Sequence, residues 1–315
     1  MTSRASPLGK TASSPQTRQH LRTSSMHTAD RKFLIVTADD FGLHAAVNAA
    51  VSEATDSGIL TAASLMVAAP AAAEAISIAR QLPRLRVGLH LVLTDGWPVL
   101  SQREIPDLVG QDGRFGDRMV LDSFRYCASA RMRSQLRAEI RAQFEAFARS
   151  GLQLDHVNTH KHFHLHPGVL NEILRIGHDF GMSALRVPDE PLWFSRSQGL
   201  AQGLTAPLLR PWLGLVRRQL RRRGLACNDR VFGMACSGDL NEARLLAILG
   251  RLPQGVTEIY LHPAIRTRDP LTPSMHNYRH ADELAALLSP RVRAAVAASN
   301  AICGGYADLA MVTAA

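Results

Sequence analysis

The sequence predicts an α/β fold in which a parallel sheet, arranged like a barrel, is surrounded by helices. Short apolar runs typical of buried strands alternate along the chain with segments of helical periodicity, which is the pattern of a parallel sheet with helices packed outside it. The number of these units favours a barrel over a small open sheet. The chain has 315 residues, 46% hydrophobic and 20% charged, which is ordinary for a globular enzyme.

The strand candidates are short apolar runs that end abruptly in polar residues. The first, residues 33–36, is followed at once by Thr-Ala-Asp-Asp-Phe-Gly, so we interpret it as a buried strand that leads into a polar loop. The third contains His90, and the last ends next to His262. The predicted strands are residues 33–36, 64–69, 87–93, 152–158, 185–187 and 257–261.

The helix candidates carry apolar residues three and four positions apart, so that one face is apolar. Residues 135–149 show this pattern most clearly, and Gly58 ends the first candidate in the usual way. The predicted helices are residues 44–56, 71–81, 135–149, 169–180, 240–249, 282–288 and 291–298.

Two segments carry the positive charge of the chain, whose formal net charge is +9. Residues 1–29 hold +4 and no acid, and the composition of residues 1–30, rich in Ser, Thr, Gln and Arg, predicts a disordered tail. Residues 207–224 hold +6 and no acid, so the rest of the chain has a net charge of −1. This distribution argues against nucleic acid as a partner. We expect a tail followed by one domain, residues 31–315.

A basic amphipathic insertion is predicted around residues 205–228 of that domain. Its arginines fall on one helical face and apolar side chains on the other, which suits peripheral contact with an anionic membrane surface through residues 207–224. A helix that covers the barrel with its apolar face is an equally good interpretation. The apolar face consists of Leu209, Trp212, Leu213, Val216 and Leu220.

Cysteine usage and hydropathy indicate the compartment. The 4 cysteines lie far apart without a Cys-x-x-Cys pair, which predicts a reducing cytoplasm and no disulfide framework. No run of about 18 apolar residues predicts a transmembrane helix. Residues 1–30 lack the apolar segment of a secretory signal. We therefore expect a cytoplasmic protein, with peripheral contact to the inner membrane left open.

Four polar clusters share one position, the carboxyl end of a predicted parallel strand, where barrels and open sheets bind ligands. The first cluster is Asp39 with Asp40. Two adjacent carboxylates repel each other, so a divalent cation would stabilise the pair and leave one carboxylate to act as a base. For this pair alone, capping of the following helix is an equally good interpretation.

Two further clusters are single histidines at strand ends. His90 lies within an apolar run and His262 closes one. A lone histidine of this kind is more often a core residue than a functional one. Their shared position at the predicted rim makes both candidates for the site, with His262 as a general acid.

The segment 155–167 is the strongest signal, because it holds five of the 13 histidines. Neutral imidazole is the commonest metal ligand, and a crowd of them is costly unless paired or metallated. Five histidines cannot all bind one ion, so some are substrate-binding or supporting groups. A surface tract that binds metal fortuitously is the alternative. In an extended chain one side would carry His156, Asn158, His160, His162, His164 and His166.

An Asp/His/His set is the donor mixture of metal-assisted hydrolysis. The ion would lower the pKa of a bound water towards about 7 and polarise the scissile carbonyl. Asp39 would accept the proton of that water, and protonated His262 would give one to the departing amine. The sequence lacks Gly-x-Ser-x-Gly, a P-loop and a Gly-x-Gly-x-x-Gly after a strand, which excludes serine hydrolases, kinases and dinucleotide enzymes.

These motifs, in this order, resemble those of the YdjC-like carbohydrate deacetylases. The resemblance covers roughly Lys32 to the C-terminus and is carried by residues 37–42, 88–91, 158–164 and 261–263. It implies a deformed (β/α) barrel that removes acetyl groups from N-acetylated sugars with a divalent metal, Mg²⁺ or Zn²⁺. It also implies Asp39 as base and His262 as acid. The implied metal ligands are Asp40, His90 and His160.

The resemblance also assigns supporting positions. The substrate-binding or supporting groups are His162, His164, Arg186 and Asn158, and Arg186 looks like a substrate-side residue. His164 is the main rival for the histidine ligand beside His160. The family segment often begins Asp-Ser-His, whereas this chain has Asn158-Thr159-His160, which removes a negative charge near the metal. A homodimer is a further implication.

The amino-acid sequence at residues 42–44, 62–67 and 85–93 is similar to that of the hopanoid-biosynthesis-associated subgroup of this family. That similarity implies a lipid with an N-acetylglucosamine head group as substrate. Soluble N-acetylated oligosaccharides remain an alternative. So do a metal-dependent phosphoesterase, since barrels with Asp and His ligands also cleave phosphates, and a non-catalytic metal- or sugar-binding module.

Overall fold

The computed structural model describes residues 31–198 and 200–309, so the predicted tail, residues 1–30, and residues 310–315 lie outside the described residues. The strands of the described part form one sheet. They are β1 Lys32–Phe41, β2 Ala62–Leu65, β3 Arg86–Leu91, β4 Val157–Thr159, β5 Arg230–Phe232, β6 Gly255–Leu261 and β7 Ile302–Cys303.

The α-helices follow the strands along the chain, as the alternating pattern predicts. Several 3-10 turns, including His160–Leu165 and Tyr306–Asp308, complete the described structure. The helices are α1 Ala45–Ser57, α2 Ala72–Gln81, α3 Met119–Ala128, α4 Ala130–Arg149, α5 Pro167–Asp179, α6 Leu192–Gln198, α7 Leu200–Arg222, α8 Glu242–Leu249, α9 His280–Leu288 and α10 Pro290–Ala298.

The sheet has the order β4-β3-β2-β1-β6-β5, with β7 paired to β1, and every pairing is parallel. It curves into a half-barrel, and residues 184–189 connect its two edges. Their hydrogen bonds reach Val157 of β4 on one side and Val231 of β5 on the other. The predicted α/β fold, a deformed barrel with outer helices, is confirmed.

Alternation along β1 explains how this strand serves both the core and the rim. Leu34 and Val36 belong to the large core beneath the helices, whereas Phe33 and Ile35 belong to a smaller cluster with Ala62. The side chains two and four positions after Ile35 continue on the second face and are polar, Thr37 and then Asp39. The barrel interior therefore changes from apolar to polar towards the carboxyl end of the strand.

Several boundaries differ from the sequence prediction. The loop expected after residue 36 is in fact strand, since β1 continues to Phe41 and carries both aspartates. The strands predicted at residues 64–69 and 152–158 are the shorter β2 and β4, and the one predicted at 185–187 forms isolated bridges only. The sequence analysis missed α3, α6, β5 and β7, which are short or lack a clear apolar period.

The predicted amphipathic helix lies within α7, and its apolar face points inward. Leu213, Val216 and Leu220 are buried in the core, and Trp212 donates its indole N–H to the backbone of Leu165. These side chains cannot enter a lipid surface while they pack on the barrel, so the covering-helix interpretation describes this face. No helix among the described residues combines the length and apolar character that crossing a membrane requires.

Gly88 in β3 leaves room for the ring of His156, and a methyl group there should be costly. A Cβ at this position would fall 2.5 Å from His156 Cε1. We expect Gly88→Ala to lower the free energy of unfolding in urea by about 1–3 kcal/mol, the usual cost of overpacking. Gly214→Ala is the control, because a Cβ there meets nothing within 4 Å. Equal stability of the two variants would contradict the packing argument.

Candidate active site

The parallel strands bring the predicted polar clusters to one rim. Asp39 and Asp40 lie at the end of β1, His90 at the end of β3, and His160 and His262 directly after β4 and β6. A cavity of about 190 Å³ opens there. It is lined by Asp39, His90, Thr159, His160, Lys161, His162, Met234, Ser237, Tyr260, His262, Ser274, Met275 and Tyr278.

Three of these rim residues form a group that could hold a metal ion. The candidate ligand atoms of Asp40, His90 and His160 all lie within 4.8 Å of one another. Asp40 Oδ1 is 3.2 Å from both His90 Nε2 and His160 Nδ1, and the two nitrogens are 3.4 Å apart. These are the three residues that the family resemblance implies as ligands, and the fold brings them together.

The carboxylate of Asp40 supplies the clearest sign that this group fits a cation. It is buried, and the polar side chains described beside it are His90 and His160, the other two members of the group. A buried carboxylate needs a compensating positive charge, which a cation held between these three side chains would supply. The backbone at Asp40 is also left-handed, with φ of 62°, an uncommon conformation for a non-glycine residue. A cation held by one oxygen and two imidazole nitrogens would satisfy this donor set.

Asn158 orients His90 so that Nε2 is the nitrogen available to an ion. The Asn158 amide oxygen lies 2.6 Å from His90 Nδ1 and can only accept, so Nδ1 carries the proton. This is the usual way in which an outer partner fixes the tautomer of a metal-binding histidine. Asn158 itself is fully buried and does not line the cavity, so it supports the site rather than touching substrate.

The two adjacent carboxylates set the charge of the site. Burial raises the pKa of Asp40, but His160 and His90 outweigh it, and the pKa stays well below its usual value. Burial lowers the pKa of His90, but Asp39 and Asp40 outweigh that effect and raise it. The two carboxylates thus make positive charge favourable at this place, which is the property that a cation site needs.

Asp39 is held by four donated hydrogen bonds. Its Oδ1 accepts from Ser64 Oγ at 2.9 Å, from Arg186 at 3.0 Å and from Asn158 Nδ2 at 3.1 Å. Its Oδ2 accepts only from Arg186, at 2.5 Å. Burial raises the pKa of Asp39, but the Arg186 guanidinium outweighs it and lowers the pKa below its usual value. Asp39 is therefore an ionised carboxylate at the cavity wall, and its Oδ2 retains a lone pair that can accept a proton.

Arg186 lies beneath the site. It is fully buried and absent from the cavity wall, so the expected substrate-side position is not what this side chain occupies. Its guanidinium donates hydrogen bonds to both Asp39 and Glu258. The bonds to Glu258 run from Nε to Oε2 at 2.9 Å and from Nη2 to Oε1 at 2.7 Å. Tyr306 and Thr37 donate to Glu258 in turn. Of the two roles predicted for Arg186, support of Asp39 fits.

His262 borders the cavity from the opposite strand. Its backbone N–H donates to the buried carboxylate of Glu283 at 2.6 Å, and its carbonyl accepts from His280 Nδ1 at 2.5 Å. Its own Nδ1 has no hydrogen-bond partner within residues 31–198 and 200–309. Burial lowers the pKa of His262 to about 4, so this imidazole is neutral at pH 7. Sequence analysis did not identify Glu283, which lies in α9.

The histidine segment does not continue as an extended strand. After Thr159 the chain turns into the 3-10 segment, and Lys161 and His162 adopt φ of 52° and 54°. The predicted common side of six residues is therefore wrong. His160 and His162 reach the cavity, whereas His156 is buried beneath β3 and His166 caps α5.

His164 packs behind the site, where its ring Nδ1 lies 2.7 Å from Thr159 Oγ1. It lies outside the metal-binding group and the cavity wall, so the geometry favours His90 over this rival as the histidine beside His160. His162 borders the cavity and its Nε2 lies 3.1 Å from the hydroxyl of Tyr260. Burial lowers the pKa of His162 well below its usual value, so it presents a neutral ring.

Buried neutral histidines should make the fold sensitive to acid. Burial lowers the pKa of His164 to about 3, whereas an unfolded histidine titrates near about 6.5. Between these values the unfolded chain binds the proton that the folded chain does not, so stability falls as the pH drops below about 6.5. We expect wild type to lose about 2 kcal/mol more than His164→Gln between pH 7 and pH 5, measured by urea unfolding. Exposed His178→Gln is the control. Parallel curves for wild type and His164→Gln would contradict the expectation.

Several relatives of this chain are named deacetylases. A carbohydrate deacetylase from Geobacillus stearothermophilus is 30% identical over 270 residues, covering 84% of this chain and 93% of that one. One from Brevibacillus brevis is 38% identical over 165 residues, covering 52% of this chain and 61% of its own length. A chitooligosaccharide deacetylase from Serratia marcescens is 29% identical and covers 88% of this chain and 99% of its own.

A solved structure supports the fold, and a family model covers the site. The crystal structure of a candidate cellobiose-phosphate cleavage protein from Enterococcus faecalis superposes with a TM-score of 0.68 at 23% identity, covering 89% of this chain and 99% of that one. The model of the YdjC-like proteins matches residues 33–298, which include every rim residue described above. The chain therefore belongs to the YdjC-like family.

Proposed function

We propose that this protein is a metal-dependent hydrolase that removes the N-acetyl group from an acetylamino sugar. The observation that carries the proposal is the buried group of Asp40, His90 and His160, whose carboxylate lies 3.2 Å from both imidazoles, beside the Asp39 carboxylate and His262. The relatives named carbohydrate and chitooligosaccharide deacetylases supply the substrate class.

The proposed residues divide the reaction between them. When bound, a divalent ion supplies Lewis-acid polarisation of the amide carbonyl and lowers the pKa of water; Zn²⁺ suits the mixed nitrogen and oxygen donors, and Mg²⁺ prefers oxygen. Asp39 Oδ2 accepts a proton from the attacking water while the water oxygen bonds to the acetyl carbon. His262 donates a proton to the sugar nitrogen as the C–N bond breaks, which leaves acetate and an amine.

The neutral state of His262 places a condition on that last step. Because burial lowers its pKa to about 4, His262 has to take up its proton within the cycle, and the proton that Asp39 accepts from water is passed to it before the C–N bond breaks. Glu283 and His280 hold the backbone of His262 from both sides, so the ring is oriented before the substrate binds.

Product analysis tests the reaction class. The metal-loaded protein is incubated with N-acetylglucosamine oligomers and, separately, with p-nitrophenyl phosphate, and acetate and phosphate are measured. Acetate release that is lost in His262→Ala supports the proposal. Phosphate release alone would identify a phosphoesterase. Neither product from a protein that binds metal would favour a non-catalytic metal- or sugar-binding module.

We further propose an N-acetylglucosaminyl hopanoid head group as the substrate, from the subgroup resemblance. Support comes from α3, which packs against the 3-10 segment of the site and exposes Val120, Leu121 and Phe124. The Phe124 ring lies 5.2 Å from that of His166, so an apolar surface flanks the histidine segment. A lipid tail could rest there while its head group enters the cavity.

Comparing two substrate forms tests this narrower proposal. We expect Phe124→Ser to lower kcat/KM for an N-acetylglucosaminyl lipid in vesicles about 10-fold, the value of one partly buried aromatic contact, and to leave a soluble oligomer unaffected. Leu215→Ser, an exposed apolar residue on α7, is the matched control. Equal effects on the lipid and the soluble substrate would exclude a lipid contact at α3.

A further inference from the structure

A chain of buried polar side chains reaches Asp39 from below the rim. We propose that Asp155, His156 and Ser64 form a positioning chain that fixes the Asp39 carboxylate for proton transfer. The proposal rests on the proposed function, in which Asp39 is the base. None of the three residues lines the cavity, so they would act through Asp39 and not on the substrate.

The contacts form an unbroken series of hydrogen-bond distances. Asp155 Oδ2 lies 2.8 Å from His156 Nδ1, and His156 Nε2 lies 3.1 Å from Ser64 Oγ. Ser64 Oγ lies 2.9 Å from Asp39 Oδ1. All of these side chains are buried, so water does not compete for the bonds.

The single hydroxyl hydrogen of Ser64 gives the chain a direction. A carboxylate is the stronger acceptor, so Ser64 donates to Asp39 and its lone pairs face His156 and the Asn158 amide, 2.8 Å away. The His156 ring faces Ser64 through Nε2 and Asp155 through Nδ1. The series therefore runs without a gap from Asp155 at one end to Asp39 at the other.

The surrounding fold is shaped to accommodate this chain. Gly88 supplies the space for the His156 ring, since any Cβ there would collide with it. Tyr306 lies against the ring with centroids 5.1 Å apart, and its backbone N–H donates to Asp155. The Tyr306 hydroxyl donates to Glu258, which holds Arg186. Tyr306 thus connects the two groups that converge on Asp39, the His156 chain and the Arg186 fork.

The geometry at Asp39 indicates what the positioning chain of Asp155, His156 and Ser64 does. With the Ser64 bond in place, Oδ1 accepts three hydrogen bonds and is saturated, while Oδ2 accepts only from Arg186. The proton of an attacking water can therefore go only to Oδ2. Without the Ser64 bond, Arg186 and Asn158 still hold the carboxylate, but Oδ1 regains an acceptor position, so the group can turn and share its unoccupied lone pairs between both oxygens.

The experiment compares Ser64→Ala with wild type in crystal structures and in steady-state kinetics of the metal-loaded full chain. We expect the Asp39 carboxylate to rotate in Ser64→Ala, and kcat to fall about 10- to 100-fold while KM and bound metal stay unchanged. Ser195→Ala is the matched control, because its buried hydroxyl donates to Glu190 instead. It should keep wild-type kcat.

A double-mutant cycle separates positioning from general support. His156→Gln alone should lower kcat, but in the Ser64→Ala background it should have no further effect, because its influence passes through the Ser64 hydroxyl. An unrotated Asp39 in Ser64→Ala, or effects on kcat that multiply, would overturn the proposal. If wild type releases no acetate, the proposed function fails, and the orientation of Asp39 in the two crystals still decides the positioning.

Discussion

Replacing Asp40 with alanine is expected to abolish stoichiometric metal binding and to lower kcat/KM for acetate release by more than about 100-fold. Loss of an outer partner of a metal ligand already costs about 10- to 100-fold, so loss of the carboxylate ligand should exceed that range. Two imidazoles remain, and they cannot supply the negative charge that the cation needs. Metal content of the dialysed protein and acetate release are measured together.

The stability of this variant is measured beside its metal content. Asp40→Ala removes the contacts of the carboxylate with His90 Nε2 and His160 Nδ1, each 3.2 Å away, and places alanine on left-handed backbone. We expect the metal-free variant to unfold cooperatively, with an unfolding free energy about 1–3 kcal/mol below that of wild type. Asp56→Ala, at an exposed aspartate in α1, is the control and should keep wild-type metal content and activity. Metal content that is unchanged in Asp40→Ala would exclude the assigned site.

Replacing Asp39 with asparagine is expected to lower kcat about 10²- to 10⁴-fold while metal binding is retained, because an amide cannot take the proton of water. The change also removes one counter-ion of buried Arg186. Breaking a buried pair outright costs about 3–5 kcal/mol, and the loss here should be smaller because Glu258 remains. Single-turnover acetate release and urea unfolding are measured on the same preparation.

Glu258→Gln is the matched control for the Asp39 variant. It removes the other carboxylate of Arg186 and so produces a comparable loss of stability, but it leaves Asp39 ionised next to the cavity. We expect its kcat to stay at least about 10-fold above that of Asp39→Asn. Equal losses of kcat in the two variants would mean that Asp39 matters for holding Arg186 and not as a base.

The rim of the site was predictable because it follows from one rule. Residues that end parallel strands meet at the same edge of a barrel, so Asp39, His90 and His262 could be grouped although 223 positions separate the first and the last. The known preference of metal ions for carboxylate and imidazole ligands then indicated which of these residues could bind an ion. The strand ends themselves were displaced, since β1 continues through both aspartates, yet the grouping survived this error.

The support beneath the rim was not predictable, because it depends on which interior residues face one another. Ser64 and Glu258 sit within apolar strands and carry no motif of their own. Their roles follow from register, which places Ser64 opposite Gly88 and Glu258 opposite Ile35. Tyr306 enters from the far end of the chain, and only the folded topology brings it under β1.

Local sequence patterns were also insufficient to predict the histidine segment and the packing of α7. Even spacing of histidines suggested an extended segment, but Lys161 and His162 adopt left-handed backbone that neither residue type signals. In α7 the amphipathic pattern identified the helix correctly. It could not say whether the partner of the apolar face was a membrane or the barrel, because both bury the same side chains.

The most direct test of the central claim is acetate release by protein from which metal has been removed. Chelator-treated protein, with its metal content verified, is assayed on N-acetylglucosamine oligomers before and after addition of Zn²⁺ or Mg²⁺. We expect no acetate before addition and activity that rises until about one ion per chain is bound, in agreement with a single Asp40, His90 and His160 group. Full activity of the metal-depleted protein would contradict the account.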